Sequence, residues 1–112
     1  MMLKRNEHIL IQNVNVAKNF WPRFMGLMGK ANLPDSQGVL FPKCNAIHTC
    51  FMKFSIDCIF MNEQGEVKKI YRNLRPWRLA GPVWGATQVL ELNGGVADKL
   101  KIQEGEHLIC GH

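Results

Sequence analysis

Three side chains that stand close together in the sequence could do chemistry: the thiol of Cys44, the imidazole of His48 and the carboxylate of Asp57. A thiol beside an imidazole that a carboxylate orients is the arrangement of a nucleophilic hydrolase, in which His48 would deprotonate Cys44 while Asp57 held the ring. The same groups could hold a metal, but their spacing is not a ligand pattern. The chain has no Cys-x-x-Cys, and His8, His107 and His112 are scattered far from the three. Gly26, Gly94 and Gly95 lack the strand, spacing and long helix of a phosphate-binding fingerprint, so neither a metal nor a cofactor is expected.

A plainer reading stands beside the catalytic one. Asp57 is flanked by Ile56, Cys58, Ile59, Phe60 and Met61, so both faces of its strand are apolar and the carboxylate is expected to be partly buried. A buried carboxylate needs a cation, a histidine or backbone donors. Arg23, beside a mainly apolar helical stretch, is expected to pack its stem and pair with Asp57 or Glu91, making all three structural polar residues. Glu91 alternates with Leu90 and Leu92, as an outward-facing strand residue also would. On balance the residues lean away from an enzyme.

A second chemistry is recognition of negative charge. The net charge is +5, and between Glu66 and Glu91 there is no acidic residue, although Lys68, Lys69, Arg72, Arg75 and Arg78 lie there. Removing those five leaves nine cations against nine acids, so this one segment carries the whole excess. It also holds Tyr71, Trp77 and Trp84. Cations interleaved with aromatic faces suit single-stranded nucleic acid or another anionic ligand, whereas a charged strand edge can simply prevent unwanted pairing. Arg72, Arg75, Trp77, Arg78 and Trp84 are therefore the candidates for binding a small anion or a partner protein, at a rim formed by His48, Asp57 and the 75–84 loop, with nucleic acid the less favoured alternative.

These residues must be positioned by the rest of the chain. Its 112 residues and 12.8 kDa suit a single domain, 1–112, with 46% apolar and 21% charged residues. Residues 8–11 and 14–16 read as strands, and 21–28 as a short helix with Pro22 in its first turn and Gly29 at its end. A turn over 33–38 leads to a strand at 39–41 that Pro42 ends. Residues 47–61 form two short apolar strands joined tightly at 53–55. The Asn62, Glu63 and Gly65 cluster predicts a hairpin pairing 56–61 with 67–74. A long Gly- and Pro-rich loop over 75–85 precedes a strand at 88–92, a second short helix over 96–102 and a last strand at 107–110. The expectation is an α+β domain: six or seven short strands, mainly antiparallel in a barrel-like or sandwich-like sheet, with two short helices.

The blocks Arg23-Phe24-Met25-Gly26-Leu27-Met28, Gly38-Val39-Leu40-Phe41, His48-Thr49-x-Phe51-Met52, Ile56-Asp57-x-Ile59-Phe60 and Val89-Leu90-Glu91-Leu92-x-x-Gly95, in that order, resemble the bacterial and archaeal "domain of unknown function 192" family. Asn73-Leu74-x-Pro76-Trp77-Arg78 looks like a subgroup of it. The resemblance implies a compact β-rich fold with two helices and carries no established activity.

The longest uncharged run, 79–90, contains Gly81, Pro82, Gly85, Thr87 and Gln88 and is too short and polar to span a bilayer. Residues 9–16 are interrupted by Gln12, Asn13 and Asn15, so no leader is recognised, although many relatives in the family carry an export signal. A cytoplasmic protein with reduced Cys44, Cys50, Cys58 and Cys110 is the default expectation. In an exported form a Cys44–Cys50 disulfide would become the alternative.

Overall fold

A computed structural model describes residues 1–17, 32–50 and 52–111. Among them the chain forms ten strands and one helical turn: β1 (Met2–Arg5), β2 (His8–Ile11), β3 (Asn13–Val16), β4 (Gln37–Pro42), β5 (Ile47–His48), β6 (Ile56–Met61), β7 (Val67–Leu74), β8 (Leu79–Ala80), β9 (Gln88–Asn93), α1 (Val96–Lys99) and β10 (Ile109–Gly111). The central sheet has five strands in the order β3-β4-β9-β6-β7, flanked by a three-stranded sheet β10-β1-β2 and a two-stranded ribbon β5-β8. All three sheets are open, not closed into a barrel, and β3 runs parallel to β4 while the remaining pairs are antiparallel.

Every residue of β6 is buried because the central sheet is covered on both faces. Ile59 and Met61 join Leu40, Leu90 and Leu92 in a cluster closed by β1, β2, α1 and Leu108. Ile56, Cys58 and Phe60 join Phe41, Met52, Ala80, Ala86 and Val89 on the other face. Fully burying each such large apolar side chain contributes about 1.5–3 kcal/mol. This double cover explains why the sequence of β6 shows no alternation between apolar and polar residues.

The β6–β7 hairpin is as expected, and its turn has a specific chemistry. Asn62 Oδ1 accepts from the amides of Gln64 and Glu66, and Gly65 takes φ of 84° where a Cβ would strike the Leu108 carbonyl oxygen. Other expectations are corrected. Among the described residues of the apolar run before Lys53, only Ile47 and His48 form a strand, which pairs with Leu79 and Ala80 inside the supposed loop. The second helix is one turn, because Leu100 leaves the helix and Lys101 takes a positive φ of 55°. The first, at 21–28, lies outside the described residues, as does Arg23. The expected pair of helices is therefore not borne out among the described residues, which are mostly β.

The two ends of the chain are held by a fork. Arg5 Nε and Nη2 donate to Glu106 Oε1 at 2.7 Å and Oε2 at 3.0 Å, and Nη2 also reaches the Leu100 and Lys101 carbonyls. The hydrogen bond from Arg5, with a smaller contribution from the Gln103 amide and the charge of Arg5, holds the Glu106 carboxyl below its ordinary pKa against a partial desolvation that opposes it. A group so depressed contributes stability above its unfolded pKa, near 4.5, and loses it as pH falls through its lower folded value. Glu106→Gln is therefore expected to flatten the acid limb of urea midpoint against pH. An acid limb identical to that of the parent would mean the fork does not couple protonation to folding.

Candidate functional site

The buried carboxylate of Asp57, 1% exposed, is fully occupied by backbone donors. Its Oδ1 accepts from the Asn73 amide at 2.8 Å, and its Oδ2 from the amides of Gly95 at 3.1 Å and Ala97 at 2.8 Å. Both Asn73, at φ of 51°, and Gly95, at 95°, sit in the left-handed region, so the carboxylate fixes two irregular points of the backbone at once. It lies on the α1 side of the sheet. By strand alternation its neighbours Ile56 and Cys58 face the opposite side.

That opposite side is where Cys44 and His48 are found. Cys44 packs beside the Phe41 and Phe60 cluster, and its Sγ donates to the Ala46 carbonyl at 3.0 Å. His48 Nδ1 accepts the Cys50 amide at 3.3 Å, which in the neutral ring places the proton on Nε2. The sheet therefore separates Asp57 from the two residues it would have to orient, and the three do not form a relay. Among the described residues there is no group of three His, Cys, Asp or Glu side chains that could hold a metal ion.

The four cysteines carry free thiols. Burial, then the neighbouring charges of Glu91 and Asp57, push the Cys58 thiol well up, and burial raises Cys110 to about 11, so both stay protonated and unreactive at neutral pH. Glu91 does not face outward. It is 3% exposed and sits across from Cys58 and Val39, because β9 lies inside the sheet with β4 on one side and β6 on the other. Arg72 is also engaged in the fold: Nη1 meets Asp98 Oδ1 at 2.6 Å and Nη2 donates to the Ile102 carbonyl at 2.9 Å.

The other cation and aromatic candidates behave differently. Residues 75–86 form an arm, fastened at its base by Thr49, a buried residue that sequence reasoning did not single out. Thr49 Oγ1 donates to the Arg75 carbonyl at 2.6 Å and accepts the Arg78 amide at 2.9 Å, while its own amide and carbonyl bond Arg78 O and Trp77 N. A hydroxyl between His48 and Cys50 in an apolar run was the available signal. Further along, the Gly81 amide donates to Tyr71 Oη at 3.1 Å, Val83 N to Asn45 O at 3.0 Å and Ala86 N to Val83 O at 3.2 Å. The Gly81-Pro82 bond is cis.

In the β5–β8 ribbon Ile47 and Ala80 turn into the core, so their neighbours His48 and Leu79 share the outer face. Leu79 is 76% exposed, Trp77 57% and Trp84 95%, and Arg75 and Arg78 are exposed among them. Lys68 reaches the far end of the arm, its Cε 3.2 Å from where a Cβ on Gly85 would stand, with Glu66 at 3.6 Å from its ammonium. Lys43 is exposed next to Cys44, whose amide bonds Thr87 O.

Comparison with known proteins places the chain in a wider group. The family model for DUF192, described as an uncharacterized ACR, matches residues 1–110. A UPF0127 protein of Thermococcus sibiricus is 37% identical over 99 residues, covering 85% of this chain, which spans 64% of that relative's length. A UPF0127 protein of Pyrococcus furiosus is 34% identical over 103 residues, 85% of this chain and 84% of its own. The crystal structure of a protein of unknown function from Novosphingobium aromaticivorans superposes with a TM-score of 0.77 at 25% identity, covering 87% of this chain and 74% of that one. Among the described residues no helix is long and apolar enough to cross a membrane.

Proposed function

We propose, for a chain that belongs to the uncharacterised DUF192 family, that the domain is a binding module whose working surface is the 75–86 arm and the adjoining β5 strand. The observation that carries this reading is the arm itself: apolar side chains held out into solvent on a backbone tied down at Thr49, Tyr71 and Asn45. A loop ordered before it meets its ligand loses little conformational entropy on binding. Exposed tryptophans flanked by arginines are the residue types that dominate binding surfaces.

The ligand is anionic. Segments 36–56 and 67–90, parts of which the β5–β8 ribbon brings together, contain no acidic residue and seven lysines and arginines, six of them besides the Arg72 that pairs with Asp98. His48 belongs to this surface through its place beside Leu79, whereas Asp57 and Arg72 serve the fold on the α1 side. Recognition fits the arrangement better than hydrolysis because Cys44, His48 and Asp57 are not assembled.

Poly-glutamate at low salt, followed by amide chemical shifts, tests the reading. Shifts confined to 43–48, 68 and 75–86 are expected, with Arg75→Ala/Arg78→Ala weakening binding roughly threefold to tenfold. Perturbations centred on α1 and Arg72, or none at all, would sink it.

A further inference from the structure

Resting on the arm as the working surface, we infer that its anionic partner is a lipid surface, with Trp84 and Leu79 entering the headgroup boundary while Arg75, Arg78, Lys43 and Lys68 meet lipid phosphates. Three observations favour a bilayer over a protein or a nucleic acid. The first is shape. Trp84 and Leu79, 95% and 76% exposed, stand out from the surface, and a fluid interface accommodates isolated apolar projections without a matching pocket.

The second is residue type. Leu79 is aliphatic and stacks on no base, yet it stands on the same arm as the tryptophans, and Trp beside Leu with flanking cations is the composition of an interfacial anchor. Basic side chains near an anionic leaflet each strengthen attachment, and among Arg75, Arg78, Lys43 and Lys68 only Lys68 has a carboxylate in ion-pair range among the described residues, Glu66 at 3.6 Å.

The third is the backbone. A segment that approaches a low-dielectric region must hide its own amides. Along the arm the amides of Trp77, Arg78, Gly81, Val83 and Ala86 are bonded within the protein and Pro76 and Pro82 have none, so the backbone is paired up to the tip at Trp84 and Gly85, whose amides stay at the hydrated headgroup level.

The test is sedimentation with phosphatidylcholine vesicles, with and without phosphatidylglycerol, at low salt. Binding is expected to be at least about tenfold tighter with the anionic lipid, and about tenfold weaker for Trp84→Ala, whose exposed site leaves folding intact. Lipids brominated near the top of the acyl chain are expected to quench tryptophan fluorescence in the parent and less in Trp84→Phe. If poly-glutamate perturbs the arm while the vesicles do not bind, the partner is an acidic protein surface and the lipid inference falls alone. Tighter binding of a single-stranded oligonucleotide at the arm overturns it as well. Vesicle binding that survives Trp84→Ala with no quenching reduces the contact to charge adsorption and also overturns it. If neither poly-glutamate nor vesicles touch the arm, both readings fall.

Discussion

Replacing Asp57 by alanine is expected to remove about 3–5 kcal/mol of folding stability, a large share of the roughly 5–15 kcal/mol available to a domain of this size. The carboxylate receives three backbone amides, and each buried amide left without an acceptor costs about 1–3 kcal/mol. The Ala97 amide is fully buried, so bulk solvent cannot take the place of its acceptor. Asp57→Asn preserves the shape but sets an amide N–H₂ against incoming donors, and an intermediate loss of about 2–4 kcal/mol is expected. Urea unfolding with an unchanged m-value would report the loss. Hydrogen exchange should show protection falling first at Asn73, Gly95 and Ala97. A loss below about 1 kcal/mol for both variants would mean the carboxylate is not an anchor, and would reopen a functional role for it.

Thr49→Val is the second large effect, expected at about 1.5–3 kcal/mol. Valine matches the shape of threonine, so packing in the 0%-exposed site is retained while the Arg78 amide loses its acceptor and the Arg75 carbonyl its 2.6 Å donor. Trp77, between them, holds φ of 63°, a conformation that costs a bulky residue about 1–2 kcal/mol and persists only under constraint. Releasing one constraint should let this backbone relax, so the arm should gain fast motion in relaxation measurements as stability falls. Thr49→Ser, which keeps the hydroxyl, should leave the arm ordered. Equal disorder in the serine variant would assign the effect to the lost methyl group instead.

What was legible in the sequence follows from which contacts leave a mark on residue type. The β6–β7 hairpin was readable because Asn62, Glu63 and Gly65 sit between two β-rich runs, and the burial of Asp57 because its neighbours are apolar on both faces. Its partners were not readable. Backbone amides carry no identity, and Asn73, Gly95 and Ala97 were no more suggestive than any other residues. Glu91 misled because alternation with leucine signals an outward face only on a one-sided sheet, and β9 is covered on both sides. Strand β1 went unnoticed because Met2–Arg5 carries two cations and finds its partner β10 at the other end of the chain. The two-residue strand β8 lies among glycines and prolines that mark a loop, and it is a strand only because Ile47 and His48 are there to pair with it. For the candidate surface, Arg75, Trp77, Arg78 and Trp84 were named from charge and aromatic content alone. Leu79 and Thr49 emerged only once the arm had a base and an outer face.

The sheet order has a consequence for how the chain finds its fold. Strands β1 and β2, like β6 and β7, meet across one short turn, but β4 must wait for β9, and the β1–β2 pair must wait for β10, with the Arg5–Glu106 fork closing a separation of 101 residues. Loop closure of that length is paid for in entropy before any contact rewards it, which places such a topology among the slower-folding small domains. The hairpin that carries Asp57 is one of the two local pieces, and its carboxylate can collect the Gly95 and Ala97 amides only after β9 has docked beside it.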